Sequence, residues 1–191
     1  MLADLITSQS RIKLLSVLLS HPSEMYHVRE LVRRTGDEIN AVRRELLFLE
    51  KKGIVVREPR ANRVYYSLSK NYAFYFDLLR TGAKLVGLGA AILKNRVKIG
   101  RIKYAMFSGR FARRMEKRPT DVDFIIVGTV VLPELAILIR DEEKRLQREI
   151  NYTVMTEEEF SFRKKKRDPF ILSVLSGSRV MLYGDEESML A

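Results

Sequence analysis

Residues 36 to 56, Gly36-Asp37-Glu38-Ile39-Asn40-Ala41-Val42-Arg43-Arg44-Glu45-Leu46-Leu47-Phe48-Leu49-Glu50-Lys51-Lys52-Gly53-Ile54-Val55-Val56, set the reading of the first third of the chain. Asp37 stands as an N-cap to a helix over about Glu38 to Lys52, because Ile39, Val42, Leu46 and Leu49 recur at helical spacing and form an inward stripe. Asn40, Arg43 and Arg44 then point outward. Gly53 closes the helix, and Ile54-Val55-Val56-Arg57 begins a strand-like run.

Upstream, residues 4 to 20 carry Leu5, Ile12, Leu15, Leu18 and Leu19 at helical spacing, and His21-Pro22-Ser23 stops that pattern. A second short helix, about Val28 to Arg34, places Val28, Leu31 and Val32 on one face and ends at Thr35-Gly36, where glycine can take a positive φ. Downstream, Arg63-Val64-Tyr65-Tyr66-Ser67-Leu68 is a second strand-like run, joined to the first by the basic, turn-rich Glu58-Pro59-Arg60-Ala61-Asn62. The pair predicts a hairpin.

Three helices followed by a hairpin resemble the winged helix-turn-helix of arsenical-resistance-repressor-like regulators, over residues 1 to about 70. The resemblance implies a double-stranded DNA partner and a homodimer. A recognition helix fits a major groove about 12 Å wide, where Asn pairs bidentately with adenine and Arg with guanine. Asn40, Arg43 and Arg44 are the candidate base-contacting residues, with Arg60 and Arg63 on phosphate at the wing. Solvated surface, or a protein-contact role for the module, is the other reading of the same cations.

Composition agrees with a polyanionic partner. The 191 residues carry 35 Lys and Arg against 24 Asp and Glu, a net charge of +11. The excess lies early: thirteen basic against eight acidic residues in 1–70, twelve against two in 71–118, but ten against fourteen in 119–191. At 46% hydrophobic the chain has enough apolar side chains for two small cores, which excludes a disordered or low-complexity class. The absence of Cys excludes disulfides, thiol nucleophiles and Cys-based zinc sites, and His21 and His27 flank a turn with no ligand set around them. No window approaches the roughly 20 apolar residues of a membrane span, so the expectation is a cytoplasmic protein without a membrane partner.

Residues 71 to 98 read as a connecting segment. Asn71-Tyr72-Ala73-Phe74-Tyr75-Phe76-Asp77-Leu78-Leu79-Arg80 is densely aromatic, which suits a dimer interface as well as ordinary packing. A helix follows over about 83–98, with Leu85, Leu88, Ile92 and Leu93 as its apolar residues.

In the last part, residues 99–191, a short apolar run Tyr104-Ala105-Met106-Phe107-Ser108 precedes Gly109, and a helical stretch covers Phe111 to Met115. Asp121-Val122-Asp123-Phe124-Ile125-Ile126-Val127-Gly128 reads as a strand, which puts Asp121 and Asp123 on one face. Two adjacent carboxylates suit a divalent ion that also takes substrate phosphates, while an isolated Asp-x-Asp is more often solvated acid. A charged helix around Glu134 to Gln147, a third strand over 148–156, and helix starts at Glu157-Glu158-Glu159 and Asp168-Pro169 complete the pattern. Lys164-Lys165-Lys166-Arg167 reads as a solvated basic face, able to touch DNA phosphate.

The stretch from Ala105-Met106-Phe107-Ser108-Gly109-Arg110-Phe111-Ala112-Arg113 to Asp121-Val122-Asp123 resembles the signature of minimal nucleotidyltransferases of the polymerase-beta superfamily. The resemblance implies an NTP and Mg2+ as cofactors, Ser108, Gly109, Arg110 and Arg113 as nucleotide-binding residues, and Asp121 and Asp123 as catalytic and metal ligands. Three departures bear on chemistry: Arg110 stands where a serine belongs, Arg114 where a glycine belongs, and the third carboxylate falls at Asn151. Arg110 either pairs with incoming phosphate or swings onto Asp121 and Asp123 and neutralises them, and the second is favoured.

The sequence therefore predicts an α+β chain of two domains: a winged helix over 1–70 and, after the 71–98 connector, a nucleotidyltransferase-like α/β domain with a small mixed sheet over 99–191. The function it implies is a DNA-binding regulator whose second domain is degenerate and serves ligand sensing or assembly. An active Mg2+-dependent nucleotidyltransferase, or an antitoxin-like member of a protein pair, is the alternative.

Overall fold

The computed structural model describes residues 6–115 and 121–191, so Leu5 of the expected first helix and residues 116–120 of the expected signature lie outside the described residues. The chain divides into two compact units, Met1–Val86 and Gly87–Ala191. The expected 71–98 connector is thereby shared out, its first half belonging to one unit and its second half to the other.

The first unit runs α1 (Gln9–Ser20), β1 (Tyr26–His27), α2 (Val28–Thr35), α3 (Ile39–Lys51), β2 (Val55–Arg60), β3 (Arg63–Leu68) and α4 (Tyr75–Leu85). Its three strands are antiparallel in the order β1-β3-β2, the element order of a winged helix. Local chemistry sets the boundaries of α1 and α2. The Ser8 hydroxyl accepts from the Arg11 N–H at the start of α1, the His27 Nδ1 accepts from the Glu30 N–H at the start of α2, and Gly36 ends α2 at φ +70°. His27 is thus a helix cap.

Three boundaries differ from expectation, the first being α1, which begins at Gln9 after the Ser8 cap and not near residue 4. Glu38, not Asp37, holds the N-cap position of α3 and makes no side-chain cap. The Asp37 carboxylate is instead taken by Lys13 Nζ at 2.6 Å, which ties α1 to the turn before α3. The wing strand β2 continues through Pro59 to Arg60, opposite Arg63, because β2 is an edge strand where a missing N–H leaves no ladder bond unmade.

Leu14, Leu18, Leu31, Leu46 and Leu49 are buried together with Tyr26, so the stripes of α1, α2 and α3 meet in one core. The helix α4 completes it, since Tyr75 and Leu79 are buried in that cluster. Gly82 lets α4 approach α1 closely: a Cβ there would stand 3.0 Å from the Leu19 Cβ. Gly82→Val is expected to overpack this crossing and to cost about 1–3 kcal/mol, read as a lower urea midpoint of the Met1–Val86 transition. An unchanged midpoint would count against the crossing.

The second unit runs α5 (Gly87–Ile99), β4 (Gly100–Ser108), α6 (Gly109–Ala112), β5 (Phe124–Val130), α7 (Leu132–Leu146), β6 (Tyr152–Met155), α8 (Glu157–Lys165), α9 (Pro169–Ser176), β7 (Arg179–Tyr183) and α10 (Glu186–Leu190). The sheet order is β6-β5-β4-β7, with β5 and β6 parallel and the other pairs antiparallel, so the sheet is small and mixed. Phe124, Ile125, Ile126 and Val127 are all buried, as a strand covered on both faces requires. Asp168 caps α9 as expected, whereas Thr156, the last residue of the expected 148–156 strand, caps α8 and leaves β6 only Tyr152–Met155.

One acidic residue is buried among arginines in this unit. Glu142 is 4% exposed and receives Arg145 through Nε at 2.8 Å and Nη2 at 2.6 Å, with Arg114 Nη2 at 3.5 Å. Burial works against its charge, but the Arg145 hydrogen bond and charge, the Arg114 charge and the Leu88 N–H outweigh it and hold the carboxyl below its usual range. A depressed folded-state value means stability that is fully present above the unfolded value of about 4.5 and lost as pH falls through the folded one. Urea midpoints of the Gly87–Ala191 transition, measured from pH 6 down to pH 3, are expected to fall less steeply in Glu142→Gln than in the parent chain. Equal slopes would dissociate Glu142 from acid unfolding.

Candidate functional site

The outward face of α3 carries Asn40, Arg43 and Arg44, all exposed, while Val42, Leu46 and Leu49 point into the core. Between α3 and the wing lies an open cleft of about 620 Å3, lined by Arg29, Arg43, Leu47, Arg57, Asn62 and Arg63 among others. The four cleft arginines come from α2, α3, β2 and β3 and make no ion pair among the described residues, so their charge faces outward unneutralised. Tyr66, opposite Arg57 across the hairpin, forms part of the same wall. Burial raises its phenol above the usual range, assisted by Glu50 and opposed by Arg57 and Arg43.

Arg43 and Arg63 of the expected DNA-contacting set meet in this cleft. Arg60 does not: its Nε lies 2.7 Å from Glu58 Oε1, and it lines an adjoining surface hollow with Met25 and Tyr65, which Arg63 shares. Asn40 and Arg44 are exposed on α3 but do not line the cleft. Arg29 and Arg57 join the cleft beyond the expected set: Arg57 carries a sequence signal, since it follows Val55 at strand spacing, whereas Arg29 reaches the cleft only through the packing of α2 beside the hairpin.

In the second unit, β4 delivers Ser108 and Gly109 to the start of α6, where the Ser108 hydroxyl accepts from the Phe111 N–H at 3.2 Å. Gly109 is needed for a close approach, but the group that approaches is the chain's own Ser178. The Gly109 N–H donates to the Ser178 carbonyl at 2.6 Å, and a Cβ would fall 2.1 Å from the Ser178 hydroxyl. Arg113 donates to the Gly109 carbonyl at 3.0 Å and to the Ser178 hydroxyl at 3.2 Å. Ser108, Gly109, Arg110, Arg113 and Asp121 therefore line one cleft of about 680 Å3, with Gly109 and Arg113 already engaged inside the protein.

The two aspartates do not form a strand-borne pair. The strand β5 begins at Phe124, and Asp121 and Asp123 lie on the extended segment before it, in different surroundings. Asp121 borders the cleft and receives Arg110 Nε at 3.0 Å. Asp123 is 2% exposed and receives Arg148 Nη2 at 2.7 Å and the Asn151 N–H at 3.1 Å. The Asn151 amide donates in turn to the Asp121 carbonyl at 3.0 Å, so Asn151 knits the segment to the start of β6.

Arg110 thus lies on Asp121 as the favoured reading had it, but the cation on Asp123 is Arg148, which no sequence motif marks. Among the described residues no group of three His, Cys, Asp or Glu side chains is placed to hold a metal ion, and no helix is long and apolar enough to cross a membrane.

No protein-family model matches the chain, and a search of curated proteins gives no match. Among solved structures, reduced HlyU from Vibrio cholerae N16961 is similar to part of the chain, at 24% identity and a TM-score of 0.35, covering 44% of this chain and 80% of that one.

Proposed function

We propose that the chain is a DNA-binding transcriptional regulator: the first unit reads duplex DNA through α3 and the wing, and the nucleotidyltransferase-like second unit serves ligand sensing or assembly. The observation that carries this reading is the cleft between α3 and the hairpin, where Arg29, Arg43, Arg57 and Arg63 converge without carboxylate partners. Cations held apart from their own protein's acids are free to replace the counterions of a phosphate backbone. Phe74 and Phe76, 60% and 59% exposed at the start of α4, supply apolar surface for the second copy that a two-fold DNA site calls for.

The geometry of the second unit speaks against nucleotide transfer. Mg2+ does not fit Asp121 and Asp123 as they are held, because each carboxylate carries an arginine and Asn151 adds no negative charge. The close approach at Gly109, which the resemblance reserves for a triphosphate, is taken by Ser178.

The test is selection of bound fragments from sheared genomic DNA by the full chain, then affinity against salt for the selected site and a scrambled one. A discrete site bound far more tightly than the scrambled duplex, with affinity falling steeply as salt rises, is the expected result. Weak binding that is equal for both duplexes, from a folded protein, would overturn the reading.

A further inference from the structure

The folding of α3 does not account for Leu47. The buried stripe of that helix is Val42, Leu46 and Leu49, whereas Leu47 is 59% exposed. At 100° per residue, Leu47 falls at the centre of the outward arc formed by Asn40, Arg43, Arg44 and Lys51, one turn from Arg43 on one side and from Lys51 on the other. All four neighbours on that arc are polar and exposed. The adjacent Phe48 is a different case, since its ring lies 3.7 Å beneath the Arg11 guanidinium and so has a partner within the protein.

Leu47 also lines the cleft that holds Arg43 and the wing arginines. A leucine there offers nothing to a phosphate. The apolar group that a base pair displays in the major groove is the thymine C5-methyl, and aliphatic side chains contact it directly. The geometry points to Leu47 as a specificity-determining residue that covers the methyl group of a thymine beside the base read by Arg43. This inference rests on the DNA-binding reading above and adds a base identity to it.

The test uses the full chain and the duplex it selects, with uracil replacing thymine at one position at a time. Uracil lacks only the methyl group. The expected result is about a fourfold loss of affinity at one thymine of each half-site, the effect of withdrawing one methyl from apolar contact. Leu47→Ala is expected to bind the thymine and uracil duplexes equally, with unchanged circular dichroism because the side chain is exposed.

Three outcomes overturn the inference, and they are distinguishable. If uracil is tolerated everywhere while Arg43→Ala still weakens binding, the chain reads DNA but Leu47 reads no methyl. If Leu47→Ala changes the oligomeric state and keeps the thymine preference, Leu47 belongs to a contact between copies. If no duplex is preferred over a scrambled one, the DNA-binding reading fails and this inference with it.

Discussion

Arg148→Met is expected to destabilise the Gly87–Ala191 unit by about 3 kcal/mol, the lower end of the range for removing one partner of a buried ion pair. Asp123 is 3% exposed at its side chain and Arg148 26%, so the substitution leaves a carboxylate enclosed while water reaches only the arginine's side. The Asn151 N–H at 3.1 Å remains as a donor but supplies no full charge. Replacing both partners, Arg148→Met with Asp123→Leu, is expected to recover much of the loss, because the desolvated charge is then gone. Because two units can unfold separately, the readout is hydrogen exchange of the buried β5 amides, Phe124 to Val127, instead of a whole-chain melt. A single substitution costing under about 1 kcal/mol would show that Asp123 does not depend on Arg148.

Arg43→Ala is expected to weaken binding to the selected DNA site by roughly 5- to 150-fold, the range of one bidentate arginine contact with guanine, and to relax preference at one base pair. Arg57→Ala and Arg63→Ala act differently if they meet phosphate: a smaller loss at every sequence, and a salt slope shallower by about 1 for each contact removed. Arg60→Ala is expected to do least, since Glu58 at 2.7 Å already offsets its charge. Arg43 is exposed on α3 and its removal leaves the core untouched, so fluorescence anisotropy at two salt concentrations separates the cases without a stability correction. Binding by Arg43→Ala that equals the parent at the selected site would remove α3 from the recognition surface.

Much of the first unit is legible because its signals are local. Pro22 after α1, Gly36 after α2 and the Val42, Leu46, Leu49 stripe of α3 act within a few residues, and the structure places each accordingly. The helix α4 is not legible in the same way, because its buried positions Tyr75, Leu79 and Gly82 include a glycine that hydrophobic periodicity does not count. Asp37 shows the same limit at one residue: its sequence context suits a cap, but a lysine 24 positions earlier takes the carboxylate. Strands of the second unit were readable at Tyr104–Ser108 and Phe124–Val127, where apolar runs are continuous, and not at β7, whose alternating burial yields a weaker pattern.

By itself the sequence determined the order of three helices and a hairpin, the basic excess, the outward arginines of α3 and the strand that runs into a helix start at Gly109. All of these depend on spacing, capping and composition over short stretches of chain. Only the tertiary structure decided which arginines lie together in the α3–wing cleft, that Ser178 fills the space beside Gly109, and that Arg148 sits on Asp123. Those contacts join residues on different elements, 25 positions apart for Asp123 and Arg148 and 69 for Gly109 and Ser178, and a local pattern carries no record of them. A buried carboxylate takes whichever cation the packed strands bring to it, because leaving it unpaired in a water-poor interior costs several kcal/mol.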